Sequence, residues 1–217
     1  MVFDYFFPGV LPGSVADVAP DAPARWTSTY VPAIAAALAG DPGRTAQLLA
    51  VTGAPIDPAD PRTVVATAAG ILWYSIFATP NATQVLGGQP FDNSGRAYAG
   101  SRDDAALNAG VGRFAASPPA LAAIQATLTT TGRPTKPLVL LHTTGDPIVP
   151  VAQTRQYLAT LRAAGLGDDR ATAREVARYG HCAFTGPEVL DAFHALVERA
   201  GGAPGARRGA TALVALE

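Results

Sequence analysis

The sequence predicts a mixed α/β protein, largely helical over residues 1–132 and ending in a strand-helix-strand-helix unit. Three observations carry this reading. The stretch KPLVLLHTTGDPIVP, from Lys136 to Pro150, holds a short apolar run, Leu138 to Leu141, between Pro137 and Gly145. Such a run reads as a strand buried on both faces of a parallel sheet. Thr172 to Tyr179 reads as a second strand, with Gly180-His181 directly after it. Between Arg25 and Leu128, apolar residues recur at helical spacing behind Asp-Pro and Ser-Pro start signals.

Taken in order, Met1 to Ala24 carries Pro8, Pro12, Pro20 and Pro23 with Gly9 and Gly13, the pattern of an irregular segment. Phe3, Tyr5, Phe6 and Phe7 make its start apolar enough to pack under the helices that follow. Arg25 to Leu38 has Trp26, Tyr30, Ile34, Ala37 and Leu38 on one helical face, and Gly40 closes it. Asp41-Pro42 supplies an N-cap and first-turn proline for a short helix, and Asp60-Pro61 repeats the signal ahead of Thr63 to Ala78. That helix is apolar nearly all round and is expected to be the hub of the helical part. Its apolar core, Val64 to Ala78, is shorter than the ~20 residues that span a bilayer, so no membrane span is expected. Thr79 to Gly100 reads as an ordered surface loop. Ser101 is expected to cap a helix from Arg102 to Ala115, and Ser117-Pro118 starts another to Leu128.

Asp146 follows the first strand and His181 the second, with Pro150 to Ala164 as a crossover helix stopped by Gly165 and Gly167. A right-handed crossover makes the strands parallel and brings both loops to one sheet edge. Ligands bind at that edge in open α/β sheets. There Asp146 can accept a hydrogen bond from one nitrogen of His181 and leave the other free as a general base. After His181, Thr185 is expected to cap a last helix to Arg199, with Leu190, Phe193 and Val197 as its buried stripe, and Cys182 is expected to be a packed thiol.

Gly145-Asp146-Pro147-Ile148-Val149-Pro150 and Gly180-His181 resemble the acid and histidine segments at the C-terminal end of the α/β-hydrolase family. The match covers roughly residues 136–200. The family's chain order is nucleophile, acid, histidine, and Asp146 then His181 fits it. The resemblance implies an incomplete α/β-hydrolase: a helical cap-like region, residues 1–132, the last strands and helices of the core, residues 133–201, and a flexible tail, residues 202–217. No G-x-S-x-G occurs in the 217 residues, so nucleophile and oxyanion hole are expected outside this chain. What is implied is part of a serine esterase or lipase-like enzyme acting on a small-molecule ester, with Asp146 as acid and His181 as base. It would be inactive alone. Trp26, Trp73, Tyr74 and Phe77 are candidates to line a substrate pocket under the cap. A non-catalytic helical binding module that retains remnants of such a site is the alternative.

Composition sets further bounds. Net charge is −1 and the charged fraction 15%, without a basic cluster beyond Arg207-Arg208, which gives a nucleic-acid partner no support. A single cysteine excludes an internal disulfide and a cysteine metal cluster. His142, His181 and His194 lack metal-ligand spacing, and neither a metal nor a cofactor is expected. No secretory signal is visible behind Met1, and the compartment is not readable. Two strands written for burial on both faces leave open edges, so association with a missing N-terminal half or with a second copy is expected.

Overall fold

The computed structural model describes residues 1–14 and 18–201. The expected tail, residues 202–217, lies outside them. The chain divides into two compact units, Met1–Thr129 and Thr130–Glu217.

The first unit is helical. The N-terminal segment is more regular than its prolines suggest: Val2–Phe6 forms a short helix, α1, that buries Phe3 and Phe6. Phe7 is buried behind them. Ala22–Arg25 forms α2 and Val31–Gly40 forms α3, joined by a π-helical turn, Trp26–Tyr30. Pro32, lacking an N–H, cannot bond the Ser28 carbonyl one α-turn back, and the wider turn falls just before it. Pro42–Thr52 forms α4, capped as its sequence indicates: the Arg44 amide donates to Asp41 Oδ1 at 2.9 Å, and Gly53 ends it at φ 61.

Arg62–Val85 forms α5, which runs past the expected end at Ala78 and carries Pro80 inside it. Thr63 and Thr67 near its start and Ala69 and Ile76 further along are buried, while Ile71, Tyr74, Phe77 and Val85 are exposed, so the helix expected to be the hub is not buried all round. Its 24 residues make it long and apolar enough to cross a membrane by length and composition. One such helix is weak evidence for a span, because core helices pass the same test.

The loop that follows is ordered from within. Asn93 is 2% exposed, and its side-chain NH2 donates to the Tyr98 hydroxyl at 3.0 Å and the Gly112 carbonyl at 2.9 Å. Its Oδ1 accepts the Phe114 amide at 2.8 Å. Asp104–Gly110 forms α6, shorter than expected and capped by Asp103, whose Oδ1 accepts the Ala106 amide at 2.9 Å. Ser101 is not the cap, because its hydroxyl and amide both donate to Asp104 Oδ1, at 2.6 and 2.8 Å. Pro118–Thr127 forms α7.

The second unit holds two parallel strands in one sheet, β1, Leu138–Gly145, and β2, Ala171–Tyr179, joined by α8, Val151–Ala163. The register pairs Leu138 with Ala171 through Thr143 with Val176, then shifts so that Gly145 faces Tyr179. Leu158 and Leu161 of α8 pack with Ala171, Leu138 and Leu140 to make a small core. Gly186–Arg199 forms α9. Two expectations fail here. Leu138 to Leu141 are half-buried rather than buried on both faces, because the sheet has only two strands among the described residues. Leu190 and Phe193 are exposed, at 38% and 57%, and the buried residue of α9 is Ala192.

Candidate active site

β1 and β2 end side by side, and the chain closes the rim with two glycines that nothing larger could replace. A Cβ on Gly145 would lie 2.9 Å from the Arg178 carbonyl oxygen and from the Tyr179 Cα, so the close approach of the strand ends needs hydrogen there. Gly180 sits at φ +117, a backbone region that L side chains rarely adopt. The Gly180 amide donates to the Gly145 carbonyl at 3.1 Å, and the buried Thr143 hydroxyl donates to the Gly180 carbonyl. Asp146 and His181 follow these glycines directly and are brought together.

His181 Nδ1 lies 2.8 Å from Asp146 Oδ2 and donates to it. Asp146 is 4% exposed. Its other oxygen, Oδ1, accepts the backbone amides of Ile148 at 2.8 Å and Val149 at 2.9 Å, so the Asp-Pro-Ile-Val turn folds around its own carboxylate. Burial alone pushes this carboxyl upward; the Val149 and Ile148 amides, with His181, outweigh it and hold it below the ordinary carboxylate range. The His181 side chain is 43% exposed. A buried, ionised acid therefore orients an imidazole whose other edge faces outward.

The loop carrying His181 is clamped at its far end. Arg178 holds Glu188 in a bidentate pair, at 2.9 and 3.0 Å, and donates to the Ala183 carbonyl. Glu188 also accepts the Thr185 amide at 2.7 Å, while the Thr185 hydroxyl accepts the Glu188 amide, a reciprocal cap at the start of α9. The Arg178 hydrogen bonds, then the Thr185 amide, lower the Glu188 carboxyl to about 2.

Sequence reasoning missed His142. Its Nε2 donates to the Val149 carbonyl at 2.8 Å, and its Nδ1 accepts from the Thr154 hydroxyl at 3.0 Å. Nε2 also lies 3.8 Å from Asp146 Oδ2. The ring thereby ties the end of β1, the turn after Asp146 and α8 to one another. The one available signal was its place four residues before Asp146.

Cys182 is exposed, where the sequence suggested a packed thiol. Its Sγ lies 3.7 Å from His181 Nε2, and its backbone sits at φ 51. For a residue with a side chain the left-handed region costs on the order of 1 kcal/mol.

The four pocket candidates all lie in the helical unit. Trp26 is buried in its core and packs against Trp73, tilted at 43° with ring centroids 5.6 Å apart, and Trp73 is half-buried against the same core. Tyr74 and Phe77 are exposed. A cavity of about 290 Å³ in this unit is lined by other residues, and none of the four is among them. No group of three or more His, Cys, Asp or Glu side chains among the described residues is arranged to hold a metal ion.

The fold and site define a mixed α/β protein with a carboxylate-imidazole pair at the C-terminal rim of a parallel sheet. Comparison with family models, curated proteins and solved structures finds no match to the chain.

Proposed function

We propose that Asp146 and His181 are the acid and general base of a serine hydrolase acting on carboxylic esters, and that the serine is supplied by a segment outside these residues. One observation supports this above the rest: the 2.8 Å bond from His181 Nδ1 to a carboxylate whose other oxygen is held by two backbone amides. A carboxylate fixed in this way sets the tautomer and orientation of the ring, so that Nε2 takes a proton from an attacking hydroxyl and returns it to the leaving group. Asp146 remains ionised throughout and stabilises the imidazolium that forms. The chain order of acid and histidine agrees with the α/β-hydrolase pattern, and because no G-x-S-x-G occurs in the 217 residues, this reading needs nucleophile and oxyanion donors on the other segment.

The reading is tested on DNA and then on protein. The reading frame preceding the Met1 codon should encode a G-x-S-x-G within roughly a domain's length, on the order of 100–200 residues. Expressed with that segment, the chain should hydrolyse p-nitrophenyl butyrate and react with a fluorophosphonate probe at the new serine. Asp146→Asn should then lower kcat by about 10⁴-fold, the loss expected when the ring takes the wrong tautomer. The 217-residue chain alone should not be labelled at any serine. An upstream frame without the motif, or labelling of a serine within this chain, would overturn the proposal.

A further inference from the structure

The cavity of about 290 Å³ lies between α1, α4 and α5 and the loops beside them, wholly inside the helical unit. Phe3, Leu49, Ile71, Leu72 and Phe91 form its walls, with small residues at Ala54 and Ala68. Ala68, Ile71, Leu72, Ser75 and Thr79 follow one another at helical spacing, so a single face of α5 lines it. Trp73, on a different face of the same helix, packs against Trp26. Ile71 is 40% exposed and marks an opening to solvent.

The lining chemistry specifies the occupant. No ionisable side chain contributes to the wall. Two of its three hydroxyls are turned back on their own helices: Thr52 Oγ1 donates to the Leu48 carbonyl at 2.7 Å and Ser75 Oγ to the Ile71 carbonyl at 3.3 Å. The one charge on a lining residue, the Met1 ammonium, is already held by Asp4 Oδ2 at 2.8 Å, so a charged group would enter without a free counter-ion, and burying it unpaired is costly. Water would find few partners, whereas an apolar chain would cover walls that are otherwise left without contacts. The volume equals that of about ten waters at ~30 Å³ each, and a methylene is of similar size.

We propose that this cavity is a binding site for a neutral, monomeric ligand bearing an alkyl chain of medium length, up to about ten carbons. The site belongs to the helical unit and stands whether or not Asp146 and His181 act in ester hydrolysis.

The test uses the full chain with N-phenyl-1-naphthylamine, a neutral fluorescent probe, and 1-decanol as competitor. One equivalent of probe should bind, decanol should displace it, and decanoate should displace it at least tenfold less well. Decanol should also raise Tm, because a ligand that binds only the folded state stabilises it. Ala68→Phe fills the cavity and should weaken probe binding at least tenfold while the protein still melts cooperatively. Ala54→Leu, at a second point on the wall, serves the same purpose where Ala68→Phe does not fold. Absence of a Tm rise with decanol, displacement by decanoate as strong as by decanol, or unchanged probe affinity in a folded cavity-filling variant would each overturn the proposal. So would binding to phosphatidylcholine vesicles without binding of decanol, which would make the bilayer the source of the chain.

Discussion

Asp146 is charged in the interior of its unit because its turn supplies two amides and β2 delivers His181. Its folded-state carboxyl lies below the ordinary range, so it contributes stability above the unfolded pKa of about 3.9 and loses it as pH falls through the lower folded value. Asp146→Asn should therefore destabilise the protein by about 1.5–3 kcal/mol at pH 7, the worth of a hydrogen bond to a charged group. The gap between wild type and variant should narrow on acidification below about pH 4. Urea unfolding at pH 7, 5 and 3 measures this, and a gap independent of pH would refute it. At this scale the sequence was legible where residues were adjacent. Gly145-Asp146 and Gly180-His181 announced the rim, because each glycine answers a local backbone demand. Asn93 and His142 stayed hidden: the first meets Gly112 and Phe114 and the second Val149 and Thr154, and no local pattern encodes such meetings.

At the scale of elements, α9 begins where Thr185 and Glu188 cap it reciprocally, and Arg178 reaches from β2 to the same carboxylate. Thr185→Ala should cost about 1 kcal/mol through the lost cap. It should also loosen the loop from Gly180 to Thr185, seen as faster amide exchange at Cys182 and Ala183 with β1 and β2 unchanged. Uniform exchange across both strands and the loop would count against a local role. This start was readable because a capping box is written in four consecutive residues. Starts and stops marked by proline or glycine, as at α4 and α8, were readable for the same reason. α5 ran on past its expected end because Pro80 costs a helix one bond and a kink rather than ending it outright. The start of α6 was misplaced because Ser101, Asp103 and Asp104 compete for the same role, and which of them wins depends on how the preceding loop enters.

At the scale of the whole molecule, each unit carries apolar surface that its own elements leave uncovered. On α9, Val189, Leu190 and Phe193 are exposed one turn apart, and β1 has no strand on its second edge among the described residues. An open strand edge and an apolar helix face favour association. The purified chain should elute from a size-exclusion column above the monomer mass, and Phe193→Asp should shift it toward monomer without changing its circular dichroism. A wild-type monomer would refute this. The class of the fold, mixed α/β with parallel strands, was legible because a crossover helix between an apolar run and a second strand pattern permits little else. The burial of the apolar run was not, since an apolar strand records the neighbours it suits and not the neighbours it has.

The bond from the Thr143 hydroxyl to the Gly180 carbonyl, with the parallel ladder, stitches the end of β1 to the loop after β2, independently of the covalent path through α8. A backbone nick between Gly165 and Gly167 would thus leave carboxylate and imidazole in register, and a gene rearranged at that point would still encode the pair.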